Sequence, residues 1–163
     1  MAQSDPAEIL LIQHRWANDR LLEVCASLTD EQLDHEFAMG RGTLRKTLTH
    51  IAGAIGRWGD LLAGRELSPM LDDQTLTMDR LRALFEEVTT DFERSARAHA
   101  HSDVVSRELG GKSYGFTRGG VLTHVMTHGM HHRAQCLNML RQLGVEKLPP
   151  SSVVEWMMMA DPV

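Results

Sequence analysis

Hydrophobic residues recur at intervals of three and four positions in four separate stretches of the chain, a pattern typical of amphipathic helices. Pro6 suits the first turn of the first helix, Thr77 suits the N-cap of the third, and Gly64 and Gly144 suit the ends of the second and fourth. The predicted helices span residues of about 5–28, 43–63, 78–100 and 117–144. Four long amphipathic helices favour an all-α fold, an antiparallel four-helix bundle, in one domain covering residues 1–163.

The connections between these helices carry weaker patterns. Thr29 and Gln32 have the spacing of a capping box, which predicts a short helical turn in the first connection. Before the fourth helix, valines and an aromatic segment flank Gly110-Gly111, which indicates a small hairpin or an extended loop. After Pro149-Pro150, Ser151 is the expected cap of a last short turn with the sequence VVEWMMM.

Composition narrows the class of protein. The 163 residues are 42% hydrophobic and 24% charged, with a net charge of −5, and they contain no basic run that would favour nucleic-acid binding. No apolar stretch approaches the ~20 residues that span a membrane, and the N-terminus lacks the basic region of a signal peptide. Cys25 and Cys136 form no CxxC motif, so we expect reduced core thiols in a cytoplasmic protein.

Histidines are concentrated in the fourth helix, where the segment 123–135 reads T-H-V-M-T-H-G-M-H-H-R-A-Q. With a turn of ~100° per residue, His128 and His132 fall beside the apolar face, whereas His124 and His131 fall toward solvent or a flank. His124, His128 and His132 together span roughly 12 Å of helix, and Zn–N bonds are only ~2.1 Å long, so one ion cannot bind all three. The angles favour the pair His128 and His132.

A metal site of this kind needs a further ligand from another helix. His50 is the strongest candidate because it lies at the edge of the apolar stripe of the second helix. His14, on a buried face of the first helix, is the second candidate, and His99 lies near the end of the third helix. An inward histidine can equally be a core imidazole with a hydrogen-bond partner, and that alternative is strongest for His14 and His99. His35 and His101 fall in or beside connections, where we expect them to be solvated.

The sequence resembles the DinB-like (YfiT-like) family of metal-dependent helical-bundle proteins. The fourth helix, HVMTHGMHHRAQCLNMLRQLG, is similar to the signature helix of that family, and HRWANDRLL and LTDEQLDHEFAMGRGTLRKTLTHIAGAIGRW resemble its upstream segments. The resemblance implies a four-helix bundle with three histidine ligands, His50, His128 and His132. It departs at Ala134, where the family usually has glycine. Relatives in the family include transferases and isomerases that use low-molecular-weight thiols such as bacillithiol, mycothiol or glutathione.

Three neutral imidazoles leave a tetrahedral ion one open position, which suits catalysis on a small molecule. Zn²⁺ fits this ligand set best, and Ni²⁺, Fe²⁺ or Mn²⁺ also accept imidazole. We therefore expect a thiol-dependent transferase or a related hydrolase, with a non-catalytic binding protein that holds a structural metal as the alternative. Gly129 stands where the HExxH motif of a metalloprotease has glutamate, and no catalytic base is evident.

Two further residues of the fourth helix, and the methionine-rich tail, suggest supporting roles. Gln135 falls beside the histidine pair and is a candidate for a hydrogen bond to a ligand imidazole. Arg133 falls near the apolar arc, where it could bind a substrate carboxylate or form an ion pair. An exposed segment 156–159, with the sequence WMMM, would pack on a second subunit and predicts a homodimer.

Overall fold

The computed structural model describes residues 2–72 and 74–162. Within these residues, six helices and one hairpin follow each other along the chain: α1 (Pro6–Cys25), α2 (Asp30–Leu33), α3 (Leu44–Leu62), α4 (Met78–Arg97), β1 (Val104–Leu109), β2 (Lys112–Thr117), α5 (Arg118–Gln142) and α6 (Val153–Met159). The fold is therefore mostly helical with a two-stranded sheet, and the expectation of an all-α chain is corrected to that extent. None of the described helices is long and apolar enough to cross a membrane.

The four long helices begin where the sequence predicts. Asp5, Thr43, Thr77 and Thr117 are their N-caps, and each side chain accepts hydrogen bonds from backbone N–H groups of the first turn. The capping box of Thr29 and Gln32 opens the short helix α2. The last short helix is capped by Ser152, not by Ser151, because Ser152 forms the capping box with Glu155.

One hydrophobic core joins the four long helices. The apolar stripes of α1, α3, α4 and α5 contribute its buried side chains, among them Leu21, Leu48, Ile51, Phe92 and Met139. Helix α3 packs against both α4 and α5, so its opposite sides serve different neighbours. This arrangement turns one edge of α3 toward the histidine-rich segment of α5.

Glycines of α3 allow the close packing with α4. A Cβ atom at Gly56 would lie 3.2 Å from a methyl carbon of Val88, and one at Gly59 would lie 3.6 Å from the Cα of Phe92. Gly53 contacts the loop after α3 instead and lines a cavity. Gly56 and Gly59 therefore lie where two helices pack closely together, and Gly53 lies at the wall of a cavity.

The hairpin covers one end of the α3–α5 groove. Its strands pair from Val104 with Thr117 to Leu109 with Lys112, and Gly110 and Gly111 form the turn with φ of 56° and 75°. Two glycines with positive φ are typical of a two-residue hairpin turn, because the twist of such a turn matches the right-handed twist of the paired strands. Phe116 of β2 contacts the edge of the Trp58 ring on α3 at 5.8 Å between centroids, which fixes the hairpin on the helices.

Candidate metal centre

The structure brings His50, His128 and His132 together from two helices. One side-chain nitrogen of each lies within 4.8 Å of the others. The Nε2 atoms of His50 and His128 are 3.1 Å apart, and the His132 ring centroid lies 4.7 Å from that of His50. Nitrogens around a tetrahedral zinc ion lie ~3.4 Å from each other when each Zn–N bond is ~2.1 Å, so the cluster has the dimensions that a divalent ion needs.

The outer nitrogens of two of these histidines are occupied by hydrogen bonds. Nδ1–H of His50 donates to Oδ1 of Asp72 at 3.0 Å, and Nδ1–H of His132 donates to Oε1 of Gln135 at 2.7 Å. A proton on Nδ1 leaves the lone pair on Nε2, the atom that faces the cluster. These two contacts thus select the tautomer and the ring orientation that a metal ion requires.

The electrostatic surroundings keep the two imidazoles contributed by α5, His128 and His132, neutral. Burial, together with the neighbouring His132 and His50, lowers the pKa of His128 to about 4. Burial also lowers the pKa of His132, although the hydrogen bond that His132 donates to Gln135 acts in the opposite direction. Neutral imidazole is the form that ligates a metal, so the donor set fits a divalent ion near neutral pH.

The supporting residues are themselves held in place. Gly40 has a φ of +55°, and a Cβ atom there would lie 2.7 Å from Oε1 of Gln135. The connection before α3 can therefore approach Gln135 only because residue 40 is glycine. Asp72 uses its second oxygen to pair with Arg41 at 3.0 Å, so its charge is shared between His50 and an arginine.

The buried Arg45 anchors the connection that carries Gly40. Its guanidinium pairs with Asp34 at 2.7 Å and with Asp30 at 2.5 Å, both in or beside α2. It also donates to the carbonyl oxygen of Leu76 at 2.8 Å. One side chain of α3 therefore fixes the connections on both sides of the candidate metal centre.

The remaining histidines lie outside the three-residue cluster. His124 is exposed but packs on Trp58 at 4.9 Å between ring centroids, and His131 accepts a hydrogen bond from Gln135 at 3.0 Å. His35, His99 and His101 are exposed, as predicted for His35 and His101. Helix α4 ends at Arg97, so His99 lies beyond the apolar stripe to which its spacing assigns it.

His14 is a core histidine and not a member of the cluster. It is buried against α5 at Gly129, where a Cβ atom would lie only 2.2 Å from its Cε1. Its Nδ1 accepts a hydrogen bond from Arg133 at 3.1 Å, and burial holds its pKa well below the ordinary value. The alternative of a partnered core imidazole therefore describes His14, and Gly129 provides the space for its ring.

Arg133 does not form the ion pair that its position suggests with any carboxylate of the described residues. It is buried and donates to His14 and to Oδ1 of Asn18, both at 3.1 Å. Within residues 2–72 and 74–162, no carboxylate pairs with it. Burial lowers the pKa of its guanidinium to about 10. Arg133 thus ties α5 to α1.

A cavity of about 210 Å³ opens beside His50 and His128. Helix α3, the loop after it and strand β1 complete its wall with apolar and basic side chains, namely Ala54, Arg57, Trp58, Met70, Leu71 and Arg107. Within the described residues, no fourth His, Cys, Asp or Glu joins the cluster of three. A bound ion would therefore keep a coordination position for a ligand other than the protein.

Sequence patterns alone did not identify several residues of this site. Asp72 and Leu71 lie in a polar loop without periodicity, and Arg107 lies on a strand whose facing side is set by the hairpin register. The rule that a ligating histidine donates its second N–H to an acceptor predicts a residue such as Asp72 but not its position. Trp58 packs against the core and also lines the cavity, a double role that helical periodicity does not reveal.

Comparison with known proteins agrees with this architecture. A crystal structure of a DinB-like protein from Bacillus cereus ATCC 10987 superposes with a TM-score of 0.68 and 21% sequence identity, over 86% of this chain and 92% of that one. At this identity the likeness concerns the fold alone. None of the curated proteins matches the chain. The model of the DinB family matches residues 1–157, and this chain therefore belongs to the DinB family.

Proposed function

We propose that this protein is a metal-dependent enzyme that acts on a small molecule, as a thiol-dependent transferase or a related hydrolase. His50, His128 and His132 would hold one divalent ion, Zn²⁺ by preference, with Ni²⁺, Fe²⁺ or Mn²⁺ as alternatives. The observation that carries this proposal is the convergence of three imidazoles from two helices beside a cavity. The four long helices would form the bundle that supports the site, in a cytoplasmic protein whose two cysteines are buried free thiols.

Different residues of the chain would have different roles in such a site. Asp72 and Gln135 orient His50 and His132, and the partly buried surroundings of His128 keep its ring unprotonated. A divalent ion supplies Lewis acidity, which lowers the pKa of a coordinated thiol or water toward neutrality. Trp58 and Leu71 restrict the access of water and shape the space for a substrate.

The cavity favours an enzyme over a protein with a structural metal. Structural zinc sites are closed by four protein ligands, whereas catalytic sites have three and an open position. The cluster has three members among the described residues and borders an open cavity. This combination is typical of the catalytic class.

Metal analysis of purified protein tests the site. We expect the full-length chain to bind one equivalent of Zn²⁺, and His50→Ala, His128→Ala and His132→Ala each to lose most of it. His99→Ala is the control because His99 is exposed beyond the end of α4 and lies outside the cluster. Full metal retention in both His50→Ala and His128→Ala would contradict the assignment.

Activity is tested separately from binding. The metal-loaded protein is incubated with an electrophilic acceptor and, in turn, glutathione, bacillithiol or mycothiol, and the loss of free thiol is measured. We expect turnover with at least one thiol, loss of turnover after chelation, and recovery when Zn²⁺ is returned. Equal rates with and without metal would contradict a metal-dependent reaction while leaving the binding site intact.

A further inference from the structure

The cavity beside the histidines contains two arginines without carboxylate partners. Arg57 of α3 and Arg107 of β1 both line it, and no described carboxylate lies within ion-pair distance of either. Arg57 donates to the carbonyl oxygen of Ser68, and Nε of Arg107 is buried with no hydrogen-bond partner. Several other described arginines do pair with acids, as Arg15 and Arg97 do, whereas the buried Arg133 pairs with none.

Burying a guanidinium N–H group without a partner is costly, so an anion that accepts its hydrogen bonds would be bound favourably. The planar guanidinium suits a carboxylate in particular, since two parallel N–H groups match its two oxygens. Asp72 also lines the cavity, but Arg41 and His50 already bind its two oxygens. Among the described residues, the charge left unbalanced in the cavity is therefore positive, in a chain whose net charge is −5.

Apart from the two histidines and Asp72, the rest of the wall is apolar. Trp58 lies between Phe116 and His124, each at an edge-to-face angle, so its ring has one fixed orientation. The guanidinium carbon of Arg107 lies 5.8 Å from the centre of that ring, within cation–π distance. Leu71 and Met70 close the opposite side. An apolar or aromatic group would thus be accommodated next to the two cations.

We propose that this cavity binds a small substrate that carries a carboxylate beside an apolar group. Arg57 and Arg107 bind the carboxylate, Trp58 contacts the apolar part, and the reactive end is directed toward His50 and His128. The inference rests on the proposed function, because it assigns the substrate class of the same site. It makes Arg57 and Arg107 specificity residues of the DinB-family chain, with Arg107 delivered by the hairpin and not by the helices.

Benzoate and its neutral analogue benzamide test this inference on the full-length protein. Binding of each is measured by NMR titration, with the protein both Zn²⁺-loaded and chelated, so that coordination of benzoate to the metal is not mistaken for arginine binding. We expect benzoate to bind about tenfold more tightly than benzamide, because charge-assisted hydrogen bonds exceed neutral ones by that factor. Equal affinities in both forms would overturn the proposal.

Substitutions locate the interaction. Arg57→Gln and Arg107→Gln keep most of the aliphatic stem and remove the charge, and each should weaken benzoate binding about tenfold while leaving benzamide binding unchanged. Arg82→Gln is the matched control, since Arg82 is exposed on α4 and does not line the cavity. Thermal unfolding of each variant verifies that it is folded. Benzoate affinity that is the same in both arginine variants as in the unmodified chain would overturn the proposal.

Metal content measured in the same samples separates this inference from the proposed function. A protein that binds Zn²⁺ but shows no arginine dependence overturns the carboxylate site and leaves the metal site standing. Arginine-dependent benzoate binding by a protein that takes up no Zn²⁺ upholds the carboxylate site and overturns the metal-dependent function.

Discussion

Gly129 lies on α5 where the ring of His14 from the first helix packs directly against it. The position therefore has no room for a side chain. A Cβ atom at this position would lie 2.2 Å from Cε1 and 2.9 Å from Nδ1 of His14. We predict that Gly129→Ala destabilises the protein by about 1–3 kcal/mol, because the His14 ring must move out of a packed position. Chemical denaturation measures the change in the free energy of unfolding.

Gly53→Ala is the matched control for this prediction. Gly53 also lies within a long helix, but a Cβ atom there would contact only Leu71, at an ordinary 3.7 Å. Helix propensity alone then favours alanine by up to ~1 kcal/mol. Opposite signs for the two substitutions support the steric role of Gly129, whereas equal stabilisation would show that His14 adapts without cost.

Gln135 orients a candidate ligand without belonging to the cluster. Its Oε1 accepts from Nδ1–H of His132, and its Nε2–H donates to His131. We predict that Gln135→Ala lowers Zn²⁺ affinity about 10–100-fold, the usual effect of losing a partner of a ligating histidine. Competition with a zinc-binding dye measures the affinity. Gln142→Ala, farther along the same helix, should have no effect, and an unchanged affinity for Gln135→Ala would refute the orienting role.

At the residue scale, helical rotation predicts how α5 presents its side chains. The pairing of His128 with His132 and the hydrogen bond from His132 to Gln135 both follow from angles around one helix. Asp72 does not, because a loop has no period from which an orientation could be deduced. The same limit applies to Gly40, whose contact with Gln135 joins distant parts of the chain.

At the scale of elements, the helix starts are predictable and their ends are less so. Local capping side chains fix the starts, and these depend on nearby sequence alone. Helix α1 ends at Cys25, before the predicted Leu28, although Leu28 still packs against the core. The apolar pattern continues past the helix because the connection also buries hydrophobic residues, so periodicity overestimates the length.

The junction between α3 and the loop that carries Asp72 depends on Asp60. One carboxylate oxygen accepts from the backbone N–H and the hydroxyl of Ser68, at 2.9 and 2.7 Å, and the other accepts from Arg65 at 2.9 Å. Burial raises the pKa of Asp60, but the bonds from Ser68 and Arg65 outweigh it, and the pKa falls below its ordinary 3.8. The carboxylate therefore stabilises the fold only while it is ionised.

We predict a pH-dependent effect of Asp60→Asn. A depressed folded-state pKa contributes stability that is fully present above the ordinary value of 3.8 and is lost as the pH falls through the folded value. The variant should therefore be less stable than the unmodified chain at about pH 7, with a smaller difference at about pH 3. Urea unfolding at the two pH values measures both differences. A difference that does not change with pH would contradict the ionic role.

At the scale of the whole molecule, the number of long helices can be predicted from the sequence. Which helices pack against each other cannot. Periodicity ranks His50, at the edge of its apolar stripe, above His14, on a buried face, but it does not show which of the two helices brings its histidine to the cluster. The choice depends on which side of α5 each helix packs, and α1 meets the side that carries Gly129 and Arg133. The family resemblance favours His50 because it supplies the three-dimensional arrangement that the pattern lacks.

The C-terminal helix α6 presents the largest group of exposed methionines. Trp156 is buried at 3% exposure, which corrects the expectation that the whole segment 156–159 is exposed. Val154 and Met158 are 58% and 69% exposed and lie four residues apart, on one side of the helix. The homodimer predicted from this segment would therefore use the face of Val154 and Met158, with Trp156 anchoring α6 to its own chain.

The mass of the protein in solution tests the predicted homodimer. We expect sedimentation at micromolar concentration to give about twice the chain mass of 18.3 kDa, and Met158→Glu to shift the protein to the monomer. Burial of a carboxylate without a partner in an apolar interface has a large desolvation cost. A symmetric dimer would bury two such carboxylates, one from each subunit, so the substitution should destabilise it strongly. Val104→Glu, at a valine of β1 that is 64% exposed, is the control and should leave the dimer intact. A monomeric unmodified chain would refute the dimer, and dissociation by Val104→Glu alone would move the interface from α6 to the hairpin.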